Sequence, residues 1–72
     1  MDLHIKIERI SREWTLDYVA QYVGITNQAV SLIETGQRKP SYAVMGKLEE
    51  LFGMGHRELL KPVTTQEVQE ND

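Results

Sequence analysis

The sequence predicts a single all-α domain. Seventy-two residues provide one hydrophobic core, and apolar residues recur at helical spacing as far as about residue 60. Capping residues and glycines divide that stretch into five segments, and no segment shows the strict alternation of a β-strand. The predicted fold is therefore a compact bundle of five helices.

The first helix is predicted from a series of apolar residues at spacings of 4, 3 and 4: Leu3, Ile7, Ile10 and Trp14. Residues three and four apart lie on one face of a helix. This series predicts a helix over about residues 2–12 that buries these side chains. Ile5 lies off the series, so we expect it to be exposed or close to a partner.

The second and third helices are predicted from their ends. Thr15 and Thr26 are the predicted N-caps, because a threonine hydroxyl accepts a backbone N–H of the first turn. Gly24 ends the second helix, and the third runs to about Thr35 before Gly36 ends it. The side chains predicted to face the core are Leu16, Val19, Ala20, Val23, Ala29, Val30 and Ile33. Two helices joined by a short turn that contains glycine form a helix-turn-helix.

The fourth and fifth helices follow a polar loop at residues 37–40. Ser41 caps the fourth helix and Gly53 ends it, and the fifth runs from His56 to about Leu60. Their predicted core residues are Val44, Met45, Leu48, Leu51, Phe52, Leu59 and Leu60. Residues 61–72 are polar and acidic, which predicts a disordered tail.

Residues 15–41, TLDYVAQYVGITNQAVSLIETGQRKPS, resemble the Cro/C1-type (XRE) helix-turn-helix family of phage and bacterial repressors. The resemblance extends over about residues 5–60. Its most specific parts are Ala20, Gly24, Ile25-Thr26, the segment 30–34, Gly36 and Pro40-Ser41. The resemblance implies a five-helix, λ-repressor-like DNA-binding domain at residues 1–60, which usually binds double-stranded DNA as a dimer.

The start of the third helix carries the residues predicted to read bases. In a helix-turn-helix this helix enters the major groove. The amides of Asn27 and Gln28 both donate and accept hydrogen bonds, as the edge of adenine requires. Ser31 follows on the same side of the helix and is short enough for close approach. Leu32 is a weaker candidate for contact with a thymine methyl, since a leucine at this spacing is more often buried.

Phosphate contacts are expected from the flanking segments. The resemblance implies that the loop with Arg38 and Lys39 contacts phosphate. Thr15 and Thr26 stand at helix N-termini, where hydroxyl and N–H groups can bind phosphate oxygens. Many relatives have glutamine after the position of Thr15, and this chain has Leu16, so one phosphate contact of the family is missing.

The resemblance also implies a partly buried ion pair between Arg9 and Glu34. Such a pair would join the first helix to the end of the third. We interpret it as structural first, with Arg9 also close to phosphate.

Charge and composition narrow the function. The net charge of −3 does not favour DNA binding, but the last ten residues hold three carboxylates and no basic residue, so residues 1–62 are neutral. Without cysteine there is no disulfide or thiolate metal site. His4 and His56 do not have metal-ligand spacing, and no catalytic motif is present. We expect no enzyme activity, no cofactor, no metal, no membrane segment and a cytoplasmic location.

Two functions remain open. The first is transcription regulation by a homodimeric repressor that binds a palindromic operator. The second is a protein-interaction module, such as an antirepressor or an antitoxin, with a protein partner. The dimer surface is expected on the fifth helix, with Met54, Leu59 and Leu60, or on the C-terminal face of the fourth.

Overall fold

The computed structural model describes residues 1–63, and residues 64–72 of the predicted disordered tail lie outside this part. The described residues form five α-helices: α1 (His4–Ser11), α2 (Leu16–Val23), α3 (Asn27–Glu34), α4 (Tyr42–Phe52) and α5 (His56–Leu59). Within residues 1–63 the only β-type pairing is an isolated antiparallel bridge between Leu3 and Pro62. The all-α class with five helices is confirmed. None of these helices has the length and apolar character needed to cross a membrane.

The three central helices begin at the predicted caps. The hydroxyl of Thr15 accepts from Tyr18 N at 3.0 Å, and that of Thr26 accepts from Ala29 N at 3.0 Å. Ser41 caps α4 in the same way through Val44 N, at 3.2 Å. Each cap satisfies one of the backbone donors that a helix start leaves free.

The turn between α2 and α3 depends on a left-handed glycine. Gly24 has φ +79°, a conformation that costs a residue with a Cβ atom more than it costs glycine. The N–H groups of Gly24 and Ile25 both donate to the carbonyl of Ala20, at 2.8 and 3.0 Å. These bonds close α2, and α3 begins after three residues.

The core lies where all five helices meet. Most of the predicted buried positions of α2 to α5 are buried or half-buried, as the helical spacing indicates. Trp14 covers the edge of the core, with its ring 5.3 Å from that of Phe52 and 5.1 Å from that of Tyr18. The central buried side chains are Ile5, Val19, Ala20, Val23, Val30, Leu48, Phe52 and Leu59.

The predicted buried face is wrong within α1 itself, although Leu3 and Trp14, which flank the helix, pack against the core as predicted. Ile5 is 0% exposed, whereas Ile7 is 42% and Ile10 is 54% exposed. Arg9, four residues after Ile5, lies on the same side as Ile5 and pairs with Glu34. A buried face that contains a charged side chain cannot be recognised from apolar spacing, and this is why the prediction selected the opposite face.

The two ends of the described chain are joined beside α1. His4 N donates to the carbonyl of Lys61 at 2.9 Å, and Val63 N donates to that of Asp2 at 2.9 Å. Leu3 N donates to the carbonyl of Glu34 at 2.8 Å. Residues 61–63 are thus bound to the start of the fold, and α1 is connected to both α3 and the end of α5.

Candidate nucleic-acid interface

The first turn of α3 presents two free amides to solvent. Asn27 and Gln28 are exposed, and within residues 1–63 neither side chain has a hydrogen-bond partner. Ala29, Val30 and Ile33 are buried on the other side of the same helix. Packing of that side against the core fixes the direction in which the amides project. A partner that approaches α3 from outside therefore meets both amides first.

Ser31 and Leu32 extend this surface along α3. Both side chains are half-buried. Ser31 follows Asn27 by four residues and Gln28 by three, so the three polar side chains share one side of the helix. Leu32 is not among the core residues of the part that the structure describes, which leaves part of it available for contact. The expected set of base-reading residues is thus contiguous, with Leu32 at its edge.

The loop after α3 carries the exposed positive charge. Arg38 and Lys39 are both exposed, and neither forms an ion pair with any residue from 1 to 63. The backbone holds the loop against the helix, because Gln37 N and Arg38 N donate to the carbonyl of Leu32 at 2.9 and 3.2 Å. The two cations therefore lie just beyond the C-terminal end of α3.

Gln37 is a polar residue of this loop that the sequence prediction did not include. It is exposed, and its amide nitrogen donates to the hydroxyl of Thr35 at 3.0 Å. Its position between Gly36 and Arg38, in the loop predicted to contact phosphate, could have identified it from the sequence. The amide oxygen and the second N–H of Gln37 remain available to a ligand.

The cap residues Thr15 and Thr26 remain able to donate. In each cap the hydroxyl oxygen accepts a backbone N–H, and the hydroxyl hydrogen of the threonine is left free. Both residues are exposed. Each can therefore offer one donor at a helix N-terminus, where the helix dipole favours an anion.

The start of α2 is less favourable to phosphate than the loop after α3. Glu13 and Asp17 are exposed on either side of Thr15. The Asp17 carboxylate accepts a hydrogen bond from the Gln21 amide at 2.9 Å. This bond orients the carboxylate but leaves its negative charge. Leu16 packs against the core instead of projecting outward. Of these two segments, the exposed positive charge thus lies in the loop after α3.

Tyr22, on the exposed side of α2, stays protonated at neutral pH. Desolvation raises the pKa of its phenol above the ordinary value, and the nearby Glu50 carboxylate raises it further. A protonated phenol can donate a hydrogen bond.

A two-point ion pair fixes the far end of α3. Arg9 Nε lies 2.6 Å from Glu34 Oε2, and Arg9 Nη2 donates to Glu34 Oε1 at 3.2 Å. Arg9 Nη1 donates to the carbonyl of Trp14 at 2.9 Å. The side chains of Arg9 and Glu34 are only 12% and 3% exposed. Because both side chains are nearly buried, their contacts with each other fix their positions. The pair joins α3 to α1, and the contact of Arg9 with Trp14 joins both helices to the turn before α2.

Comparison of the sequence with models of known protein families agrees with this architecture. Residues 5–59 match the family model described as helix-turn-helix, HTH_3, and this range covers α2, α3 and the turn between them. A search of curated proteins and a search of solved structures gave no match. Since the matched segment is most of the chain, this protein belongs to the Cro/C1-type helix-turn-helix family of DNA-binding regulators.

Proposed function

We propose that this protein is a sequence-specific transcriptional repressor of the phage or mobile-element type. It binds a partly palindromic operator in double-stranded DNA as a homodimer, and one α3 enters the major groove of each half-site. Asn27, Gln28 and Ser31 read bases, and Leu32 contacts a thymine methyl at the edge of the site.

The observation that supports this proposal best is the pair of unpartnered amides at the start of α3. An amide in the major groove can donate to and accept from the same adenine, which distinguishes adenine from the other bases. The side of α3 opposite Asn27 and Gln28 is fixed in the core. Both amides are therefore presented in a defined direction, as base reading requires.

Phosphate binding is assigned to Arg38 and Lys39, with Thr15 and Thr26 as secondary donors. The loop cations lie beside α3, so they can reach the backbone while α3 lies in the groove. Since the structured part of the chain has no net positive charge, affinity depends on this local concentration of charge. We expect steep weakening of binding as salt increases.

The decisive experiment is selection of binding sites from a random duplex library at low salt. The proposal predicts enrichment of a motif with two related half-sites. Gln28→Ala should weaken binding to the selected site by about 1–3 kcal/mol and relax the preference at one base position. Failure to enrich any motif with folded protein would contradict the proposal.

The salt dependence separates base contacts from phosphate contacts. Arg38→Ala should reduce the slope of log K against log salt by about 0.9, with little change in base preference. Arg57 is a matched control, because it is an exposed arginine on α5 that is not among the residues assigned to phosphate contact. An equal loss of slope for Arg57→Ala would show that α5 also contacts phosphate.

The second candidate function is a protein-interaction module such as an antirepressor or an antitoxin. The exposed Ile7 and Ile10 on α1 favour it, because contiguous apolar surface marks interaction sites. The same selection discriminates the two functions. A folded protein that enriches no duplex, together with loss of partner binding in Ile7→Ser, would favour the interaction module.

A further inference from the structure

An open groove lies on the surface of α4, and one of its lining residues, Met45, also packs against the core. It has a volume of about 310 Å³ and is lined by Tyr42, Met45, Gly46, Glu49 and His56. The groove thus combines one side of α4, from Tyr42 to Glu49, with the start of α5. None of the residues assigned to base or phosphate contact lines it.

An unpartnered aromatic ring stands at one end of this groove. Tyr42, the first residue of α4, is 97% exposed. Gly46, one turn further along, has no side chain, and a Cβ atom placed there would meet no other atom within 4 Å. A projecting ring and an open space therefore lie side by side on the same helix.

The charged part of the groove is satisfied within the chain. Glu49 Oε2 accepts from His56 N at 2.7 Å and lies 3.1 Å from His56 Nδ1. An aromatic ring that covers the groove would therefore not leave the carboxylate without a partner, which is the main cost of burying a charge.

This arrangement fits a second copy of the same chain. In a two-fold symmetric dimer the same patch occurs on both sides of the interface, so it must be complementary to itself. A ring next to a cavity meets this condition, because each ring can enter the cavity of the other copy. We propose that this groove is the homodimer contact, with Tyr42 of each copy inserted over Met45 and Gly46 of the other.

The position of the groove along the chain supports the choice of a second copy. Tyr42 follows Lys39 by three residues, so the groove begins where the loop after α3 ends. A two-fold axis at the groove brings the two loops, with Arg38 and Lys39, close to each other. This link with a palindromic operator rests on the proposed function, whereas the self-complementary shape does not.

The sequence offered two dimer surfaces, one on α5 and one on the C-terminal face of α4, and the surface on α5 loses one of its predicted residues. Leu59 is fully buried in the core and cannot contact a partner. Tyrosine is, in addition, among the residues that contribute most to interfaces, since its ring buries a large area for little lost freedom.

The test is sedimentation equilibrium of the full chain without DNA over a wide concentration range. The wild type should dimerise, and Tyr42→Ala should raise the dissociation constant at least about tenfold. Gly46→Gln should do the same by filling the groove. Because the space above Gly46 is open and glycine is a poor helix former, this variant should melt no lower than the wild type.

Ile10→Ser is the matched control, since it removes an exposed apolar side chain from α1 and should leave dimerisation unchanged. In a mixed sample with one labelled copy, isotope-filtered NMR should show contacts between the Tyr42 ring and the Met45 methyl group. A monomeric wild type, or Tyr42→Ala and Gly46→Gln variants that dimerise normally, would overturn the inference. So would a dimer that Ile10→Ser abolishes.

The two proposals can fail separately. A protein that dimerises through the groove but enriches no duplex would refute the DNA-binding function and leave the dimer contact intact. A protein that binds its selected duplex only as a monomer would refute the dimer contact and leave base reading by α3 intact.

Discussion

The three central helices and the two end helices are held by different means. Each of α2, α3 and α4 begins with its own side-chain cap, from Thr15, Thr26 and Ser41. Neither α1 nor α5 has a cap from its own N-cap residue, which is Leu3 or Gly55. The end helices depend instead on groups of other elements, which are remote in sequence for α1 and seven residues away for α5.

Particular hydrogen bonds support the start of each end helix. In α1, Leu3 N donates to Glu34 O and His4 N to Lys61 O. In α5, the first N–H, of His56, donates to the Glu49 carboxylate. Local sequence is therefore sufficient to define the helix-turn-helix, whereas the two end helices require the assembled fold. The comparison predicts that changes at the buried tertiary contacts of α1 cost more than changes at local caps, and that the exposed contact of α5 costs least.

The largest effect is expected from the ion pair between α1 and α3. Glu34→Ala leaves the guanidinium of Arg9 with little solvent and without its carboxylate, which costs about 3–5 kcal/mol of unfolding free energy. Urea denaturation measures this loss. Arg9→Lys keeps the charge without the forked geometry and should lie between wild type and Glu34→Ala. A loss below about 1 kcal/mol for Glu34→Ala, as for an exposed pair, would show that this contact does not hold α1.

The next effect distinguishes the two faces of α1. Ile5→Ala removes a fully buried side chain and should cost about 2–5 kcal/mol. Ile10→Ala, in the same helix, should change stability by no more than about 0.5 kcal/mol, because this side chain is half exposed. Thermal and urea unfolding of both variants checks the difference. A larger loss of stability for Ile10→Ala than for Ile5→Ala would show that the buried face of α1 is the one that apolar spacing predicts.

A smaller effect is expected at the caps of the central helices. Thr26→Ala should cost about 1 kcal/mol, because Ala29 N loses its side-chain acceptor. Ser11 is a useful control, since its hydroxyl bonds to Glu8 O inside α1 and caps no helix. Equal losses of unfolding free energy for Thr26→Ala and Ser11→Ala would contradict the role of the cap.

The smallest effect concerns α5 and depends on pH. Hydrogen bonds from the His56 backbone and side chain hold the pKa of Glu49 below its ordinary value. A lowered pKa in the folded state stabilises the fold above the ordinary pKa of glutamate, about 4.3. That contribution is lost as pH falls through the lower, folded-state pKa.

The melting-temperature difference between wild type and Glu49→Gln should therefore be largest near neutral pH and should shrink in acid. Glu58→Gln, on the exposed side of α5, is the matched control. The same pH dependence for both variants would contradict a specific role for Glu49 at the start of α5.

Local signals explain how much of the fold could be predicted. A threonine or serine at a helix start and a glycine at its end act within four residues, so α2, α3 and α4 are encoded by adjacent sequence. The exposure of Asn27 and Gln28 follows from the same information, because the apolar side of α3 fixes its polar side. The identity of the bases or partners that these residues contact is not encoded locally and stays a prediction.

The turn between α1 and α2 has no glycine that would indicate it in the sequence. Glu13 adopts a left-handed φ of +59°, where glycine is usual. Glu13 N donates to Ile10 O and Trp14 N to Arg9 O, at 2.9 and 3.1 Å. The hydrogen bonds and the packing of Trp14 offset the strain of a residue with a Cβ atom, and neither can be seen in the residue type.

The sequence by itself determined the five-helix class, the caps of the central helices and the polar start of α3. Each of these depends on residues within one or two helical turns of each other. Only the tertiary structure decided which face of α1 is buried and how α5 begins. It also placed Tyr42 beside an open groove. Those features depend on contacts between different elements, such as Arg9 of α1 with Glu34 of α3, which the residue pattern within one helix does not reveal.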